Sequence, residues 1–489
     1  MKMRAAVLED FGQPLVVQEV DLAGPAKGEV LVKLEACGVC HTDLYTASGA
    51  DPSGYAPCVL GHEGAGVVVE IGEGVTSLEV GDHVVTLFSP ECGECIHCKS
   101  GKTNICLAIR EQQGKGYLPD GTARLSRGGE PIRHFMGTST FAEYTVMPEI
   151  ALAKVDREAA MDKICLLACG ATTGIAAALW KAEVEEGSTV AVFGAGMVGL
   201  GAVVGAQLQG AERIMIVDTS EARLELARSF GATDTILGGP DAVQAILDQT
   251  DGFGADYTFE ATGITSVMAQ AVESARMGWG LCTILGVAGR GETLDIIPRW
   301  LITGRKVQGG SFGGARGRTH VPQLVDLYVE GKLPLDGFVS HHLTLDEVNE
   351  GFELMEAQDG IRSVILFDQT GADMMWGRIE NDAGEKLDYS YLAGSNDDAD
   401  LVVIGHGVTG NKDRPWAVTL AQVLSEAGFA TLRLSFSGNG DSEGDFADSG
   451  PNTERRDPTS LLDVAQGPPV PPLAPAKGCR GRVPCARAV

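Results

Sequence analysis

Basic charge is what this sequence is short of. It carries 38 lysines and arginines against 66 aspartates and glutamates, a formal net charge of -28. Phosphate recognition needs clustered cations, so a nucleic acid or an anionic membrane is excluded as partner, and the charge serves solubility. No secretory leader is expected either: MKMRAAVLED has no apolar core, and Glu9 and Asp10 follow at once. One apolar run, Val190 to Ala206, approaches the length that spans a bilayer. Gly194, Gly196 and Gly199 interrupt it, and its opening VAVF has the length of a buried strand. A strand, a glycine turn and a helix are expected there instead. No membrane is expected, and the cytoplasm is the expected compartment.

What the sequence does have is length and cysteine. Its 489 residues can bury several separate cores. Of its 12 cysteines, four crowd into one short stretch, and nothing points to export, so metal-bound thiols are expected rather than disulfides. Over residues 1–170, alternating runs such as EVLVKLEACGVC and GAGVVVEIG predict a β-rich domain with many turns. Over residues 171–310, strands alternate with helices: VAVFGAG, RIMIVD, SEARLELARSFGA, ADYTFEATG, LCTILGV. That rhythm predicts parallel βαβ units in a doubly wound sheet, and the fold class is α/β.

Residues 311–370, with the helical VPQLVDLYVEGKLP and the closing strand SVILF, are expected to return to the first domain. Residues 371–449 form a further structured piece with a strand and glycine turn (DLVVIGHGVTG), an amphipathic helix (VTLAQVLSEAGF) and a strand (ATLRLSF). Residues 450–489 are Pro-, Gly- and Arg-rich without apolar periodicity and are expected to be disordered. There is no internal repeat. His341 and His342 are expected in a loop, and Cys37, Cys58, Cys165 and Cys282 are expected as small core residues.

The strongest chemical signal is Cys92-x2-Cys95-x2-Cys98-x7-Cys106. Four thiolates on one loop suit a closed tetrahedral zinc site with no position open to substrate. Polar residues between them (Gly93, Glu94, His97, Lys99) argue against four core thiols, and the last spacing does not fit the usual ferredoxin cluster. Gly194-Ala195-Gly196-Met197-Val198-Gly199 stands between a predicted strand and a predicted helix, and Asp218 ends the next strand. That context turns a weak motif into a dinucleotide fingerprint, with the acidic side chain about 20 residues on for the ribose. A carboxylate there repels a 2′-phosphate, so NAD is favoured over NADP.

Cys40, His62 and Cys169 are scattered, and each alone reads as an ordinary buried or surface residue. Together, two thiolates and one imidazole would leave a fourth tetrahedral position for water or substrate. Asp43 and Glu63 are candidates to orient such ligands from behind.

These stretches, with CGVCHTDLYTASGADP, LGHEGAG, CGECIHCKSGKTNIC, IREQQGKGYLPDGTARLS, MGTSTFAEYTV, ICLLACGATTG and FGAGMVGLGAV, resemble the zinc-containing medium-chain alcohol dehydrogenases of class III, the S-(hydroxymethyl)glutathione dehydrogenases. The resemblance runs from residue 1 to about residue 367. It implies a GroES-like catalytic domain split around a Rossmann domain, two zinc ions per subunit, NAD, and a homo-oligomer, dimer or tetramer. Carried over by position, Cys40, His62 and Cys169 are the catalytic zinc ligands, and Cys92, Cys95, Cys98 and Cys106 the structural ones.

Thr42 would take the proton from the substrate hydroxyl, and Tyr45 stands where some relatives have a relay histidine. His41, Thr173 and Arg362 correspond to positions near the nicotinamide and pyrophosphate, and Arg223 to one near the adenosine. Arg110 matches the class III arginine that holds a glutathione carboxylate, and Asp51 an acidic position at the pocket mouth. Two positions depart: Ser53 stands where a glutamate is usual and Met277 where a lysine is usual. The substrate is therefore expected to be a thiol hemithioacetal or, alternatively, a free aromatic or aliphatic alcohol.

The piece around 400–444 resembles the opening of an α/β-hydrolase domain. No GxSxG elbow follows it, and His406 belongs to the glycine turn, so it is expected to be a truncated, catalytically silent segment rather than a second enzyme. A non-catalytic zinc- and NAD-binding protein is disfavoured because Thr42 and the three scattered ligands are all present.

Overall fold

A computed structural model describes residues 1–51, 54–367, 374–380, 385–392, 399–405, 411–412, 414–436 and 442. Ser53, residues 406–410 with His406, residues 437–441 and residues 443–489, with the expectations that fall on them, lie outside the described residues. The chain divides into two compact units at Phe367/Asp368.

In the first unit, short strands with alternately buried side chains build two sheets. Lys2–Leu8, Val16–Leu22, Leu125–Arg127, Glu130–His134 and Cys58–Val59 close into a small barrel. Beside it a larger sheet runs Leu152–Lys154, His83–Thr86, Glu63–Ile71, Glu29–Gly38, Arg362–Leu366, Val339–Leu343, with Tyr144–Pro148 also on Glu29–Gly38. The strand Glu29–Gly38 is buried along most of its length because it is covered on both faces. It ends at Gly38, and the helix His41–Ala47 starts three residues later. Cys40 is therefore held at a strand-to-helix corner.

Glu63–Ile71 pairs antiparallel with the same strand, Gly38 opposite Glu63, which brings His62 and Glu63 to that corner. Arg362–Leu366 pairs on its other side, Val364 opposite Gly38, and delivers Arg362. His341 and His342 lie not in a loop but within the strand Val339–Leu343, which pairs parallel with Arg362–Leu366. The imidazole of His342 finds a partner there, with Nε2 2.9 Å from Asp162 Oδ2, which lets a polar pair sit in a sheet.

The second half of this unit is a six-stranded parallel sheet. Its order is Asp234–Leu237, Arg213–Asp218, Thr189–Phe193, Tyr257–Glu260, Leu281–Ile284, Lys306–Gly309. Strand order reverses between Thr189–Phe193 and Tyr257–Glu260, the switch point at which doubly wound sheets bind ligands. The apolar run from Val190 resolves into the strand Thr189–Phe193, a glycine turn and the helix Met197–Leu208. No single helix among the described residues is long and apolar enough to cross a membrane. That helix packs against Gly170–Ala176 at backbone distance: a Cβ on Gly174 would lie 2.0 Å from the carbonyl oxygen of Val198. Glycine at the contact thus sets the Cys169–Thr173 segment against the glycine turn.

In the second unit, Met374–Glu380, Lys386–Leu392, Ala430–Leu434 and Leu401–Ile404 form a four-stranded sheet in that order. The helix Pro415–Glu426 joins the last two as a parallel pair. Leu387, Leu434, Phe436 and Leu432 make its core.

Candidate active site

At the corner after Gly38 one ligand atom each from Cys40, His62, Glu63 and Cys169 lies within 4.8 Å of the others. His62 is fully buried, and its ring is oriented by Asp43, whose Oδ1 is 3.1 Å from Nδ1. Asp43 is itself fixed by the N–H groups of Gly61 (3.0 Å) and Cys40 (3.1 Å). The other imidazole nitrogen, Nε2, is buried without a hydrogen-bond partner. A buried orphan nitrogen costs stability unless something fills its lone pair, and two thiols and a carboxylate nearby fit a cation such as zinc.

Behind the cluster, Glu63 Oε1 accepts from Gly170 N–H at 3.2 Å and meets Arg362 Nη2 at 3.3 Å. Arg362 donates through Nη1 to the Val39 carbonyl at 2.7 Å. Only glycine at position 38 leaves room for this carboxylate, since a Cβ there would lie 2.2 Å from Glu63 Oε2.

The electrostatics follow from burial of so many charges in one place. The hydrogen bond from the Cys169 thiol, with Arg362 and His62 nearby, holds the Cys40 thiol well below its ordinary range. The same bond and burial hold Cys169 well above it. Burial works against the His62 proton, but the charges of Asp43 and Cys40 outweigh it and raise the imidazole. Burial pushes the Glu63 carboxyl up to about 8 despite Arg362. The cluster balances its charge by holding protons, which a divalent cation would replace. Thr42 Oγ1 lies 3.8 Å from Cys40 Sγ, and Tyr45 sits one turn further along the same helix.

The second cysteine group stands on one loop. Cys92 and Cys98 sulfurs are 3.9 Å apart, as are those of Cys95 and Cys106. A zinc tetrahedron with sulfur bonds of about 2.3 Å has edges of about 3.8 Å, so the sulfurs already fit one. The backbone N–H groups of Cys95 and Glu94 point at Cys92 Sγ, and that of Cys98 at Cys95 Sγ, as donors to thiolates do.

At the switch point Gly194 takes φ +98°, a left-handed turn that costs a glycine little. A Cβ on Gly199 would collide with the Gly194 carbonyl at 1.7 Å, whereas one on Gly196 would meet nothing within 4 Å. The first contact closes the helix on the strand, and the second leaves the helix N-terminus open to a pyrophosphate. Asp218 ends the next strand and accepts from Ala195 N–H (2.7 Å) and Ser220 N–H (2.9 Å). Arg223 reaches the Gly360 carbonyl at 3.4 Å, and Thr173 Oγ1 donates to the Cys169 carbonyl at 2.8 Å. Burial, and then the positive charges of Arg362 and Arg223, lower the His41 imidazole, so a neutral ring lies near two guanidinium groups.

Known proteins share this architecture. The alcohol dehydrogenase GroES-like domain family matches residues 26–157, and the zinc-binding dehydrogenase family residues 197–330. The S-(hydroxymethyl)glutathione dehydrogenase of Escherichia coli O1:K1 is 51% identical over 371 residues, which cover 75% of this chain and 100% of that protein. Its counterpart from Photobacterium damsela subsp. piscicida is 52% identical over the same spans. The chain belongs to the zinc-containing alcohol dehydrogenases. Among solved structures, the benzyl alcohol dehydrogenase of Acinetobacter calcoaceticus superposes with a TM-score of 0.71 at 33% identity, covering 75% of this chain and all of that one.

This alcohol dehydrogenase is class III-like, oxidises an alcohol, and uses zinc and NAD. The GroES-like match falls on strands of the barrel and the larger sheet, and the zinc-binding dehydrogenase match on the Rossmann-like parallel sheet.

Sequence reasoning missed the wall of the site. Phe88 and Phe135 meet the His62 ring edge-on at 6.1 and 5.9 Å, and Phe312 meets Phe88 at 5.2 Å. Gln113 Nε2 ties this wall together by donating to the carbonyls of Phe88 (2.7 Å) and Met136 (2.5 Å). Arg110 opens the same short helix, Arg110–Gln113, and is exposed. Asp51 Oδ2 accepts from Thr46 Oγ1 at 3.0 Å, on the helix that carries Thr42. Met277 is not brought to this site within the chain. It is 54% exposed in the turn before Leu281–Ile284, at the end where the parallel strands begin, opposite the glycine turn.

Proposed function

We propose that this alcohol dehydrogenase oxidises S-(hydroxymethyl)glutathione at the Cys40–His62–Cys169 corner. The observation that carries the site is the buried, unpartnered Nε2 of His62 facing two thiols. The substrate follows from the relatives named for it and from Arg110 on the helix that braces the aromatic wall. Cys40, His62 and Cys169 would hold one zinc, and Cys92, Cys95, Cys98 and Cys106 a second.

Bound there, zinc supplies Lewis acidity toward the alcohol oxygen, and NAD supplies the hydride acceptor. Asp43 keeps Nε2 turned toward the thiols by receiving the opposite ring N–H. Thr42 accepts the proton that the hydroxyl loses and passes it along the helix toward Tyr45. Gly194, Gly196 and Gly199 cradle the pyrophosphate with His41, Thr173 and Arg362. Asp218 receives the ribose hydroxyls, and Arg223 lies at the adenosine. Phe88 and Phe135 keep water from the reacting carbon, Arg110 meets the glutathione carboxylate, and Asp51 guards the mouth.

In this reading residues 1–170 and 311–370 form the catalytic domain around a Rossmann domain at 171–310, and the enzyme is a cytoplasmic dimer or tetramer. Residues 371–449 take no part in the oxidation. A free aromatic alcohol is the second reading, favoured by Ser53 where a glutamate is usual and by a wall made of phenylalanines. NADH formation decides between them. Turnover of formaldehyde only when glutathione is present supports the hemithioacetal, and turnover of benzyl alcohol without thiol at an equal kcat/KM overturns it.

A further inference from the structure

We infer that Asn104, inside the four-cysteine loop, is a positioning residue for the aromatic wall beside His62, so that this loop helps to seat the alcohol. Asn104 lies in the short turn Thr103–Ile105, between Cys98 and Cys106. It is tied in two directions. Its carbonyl accepts from Ser89 Oγ at 2.5 Å, and Ser89, only 7% exposed, follows Phe88 in the chain. Its side-chain amide donates to the carbonyl of Ser311 at 2.8 Å, across 207 positions of sequence, and Ser311 precedes Phe312. The two residues that Asn104 reaches are thus the neighbours of the two rings that touch each other, Phe88 and Phe312.

Phe312 needs such a tie. Its backbone sits at φ +54°, ψ +30°, a left-handed conformation that a bulky side chain rarely adopts, and Gly313 and Gly314 continue it at φ +61° and +76°. Residues held this way persist only where the surroundings over-determine them. One constraint is the helix Gly170–Ala176, which the loop approaches so closely that a Cβ on Gly313 would lie 2.1 Å from the Thr173 carbonyl. The loop's own turn bonds, Gly313 N–H to the Gly310 carbonyl and Ala315 N–H to the Phe312 carbonyl, and burial of the ring are others. The Asn104 amide is the tie from the four-cysteine loop, and without it Phe312 and its edge contact with Phe88 are held less firmly, so the face turned to His62 loosens. Neither hydrogen bond of Asn104 runs to the glycine turn that binds the nucleotide.

The test uses Asn104→Asp, which keeps the shape and removes the amide donor, with Asn104→Ala as the stronger variant. Hydrogen exchange of the intact holoenzyme should show faster exchange in residues 309–316 and unchanged exchange in 92–106. KM for benzyl alcohol or S-(hydroxymethyl)glutathione, whichever is turned over faster, should rise about fivefold, as loss of one hydrogen bond allows, with KM for NAD and bound zinc unchanged. In a Phe312→Gly background, where the strain and the ring are both gone, the Asn104 substitutions should add nothing further.

The opposite pattern overturns the proposal: zinc loss with faster exchange in 92–106, unchanged exchange in 309–316, or an equal effect in the Phe312→Gly background. Because the tie is argued on the reading that alcohol sits beside His62, the exchange arm, which needs no turnover, separates the two. Faster exchange in 309–316 with unchanged alcohol KM would leave the tie standing and move the alcohol elsewhere, which ends the seating role.

Discussion

The two cysteine groups of this enzyme are built on opposite plans. Cys92, Cys95, Cys98 and Cys106 come from one loop and are served by backbone N–H donors of that loop, with no carboxylate or imidazole joining the cluster among the described residues. Cys40, His62 and Cys169 come from three distant stretches and are backed by buried Asp43, Glu63 and Arg362. A group that only has to hold a metal can be made locally, because four sulfurs close the shell and nothing else must be aimed. A group that must leave room for a substrate needs its ligands oriented from outside, and that takes residues from several elements.

The largest effect that tests this division is on turnover. His62→Ala is expected to lower kcat/KM by at least ~10³-fold with the fold intact, because on the proposed reading it removes a ligand of the reacting zinc. Cys98→Ser is expected to lower Tm by roughly 10 °C through loss of a metal that ties the loop, while the folded fraction keeps most of its turnover. Zinc content should fall by one per subunit in each variant. Abolished turnover in Cys98→Ser at an unchanged Tm would collapse the distinction between holding and reacting.

A smaller effect is expected behind the dispersed site. Asp43→Asn keeps the size of the side chain but turns a firm acceptor for His62 Nδ1 into a weaker one. Loss of such an orienting partner costs about 10- to 100-fold in metal affinity or activity, so kcat should fall within that range. In the four-cysteine loop the backbone takes this part, and only a proline, which lacks the N–H, could remove it. If Asp43→Asn left both kcat and zinc affinity unchanged, the orienting layer would be an ornament of burial and not part of the reaction.

The same contrast explains which parts of the enzyme are legible in one dimension. The four-cysteine spacing and the strand–turn–helix around Gly194 to Gly199 are local, and a local pattern survives in a linear sequence. Cys40, His62 and Cys169 have no spacing of their own and gain meaning only from the motifs around them. Arg362 meets Glu63 across three hundred positions, through two strands that both pair with Glu29–Gly38, and no periodicity announces that. Phe88, Phe135 and Phe312 look like ordinary core aromatics in the sequence, and only the fold sets Phe88 and Phe135 against His62 and Phe312 against Phe88. His341 and His342 read as loop residues because VSHHL shows no clean alternation, and the strand's parallel partner lies beyond an intervening helix. Met277 looks like a lost substrate contact in the sequence, yet within this chain it sits at the wrong end of the sheet.

The smallest expected effect concerns acid, which must be understood before either metal group is compared at low pH, since protons also compete for thiol and imidazole ligands. His134 is as deeply buried as His62 but is held differently. Its Nε2 accepts from Arg124 N–H at 2.9 Å, and Nδ1 has no partner. Burial first, and the Arg124 charge second, push its pKa down to about 3. The unfolded chain then binds a proton near pH 6.5 that the folded protein refuses. The contribution of His134 is therefore complete above pH 6.5 and is lost progressively as pH falls toward 3. Between pH 7 and pH 5 that loss comes to about 2 kcal/mol. His134→Gln can still accept from Arg124 but does not titrate, so its urea midpoint should fall less between those pH values than that of the parent enzyme. Equal falls in both would assign the acid sensitivity to the metal groups, and the contrast between them could then be read directly from zinc release against pH.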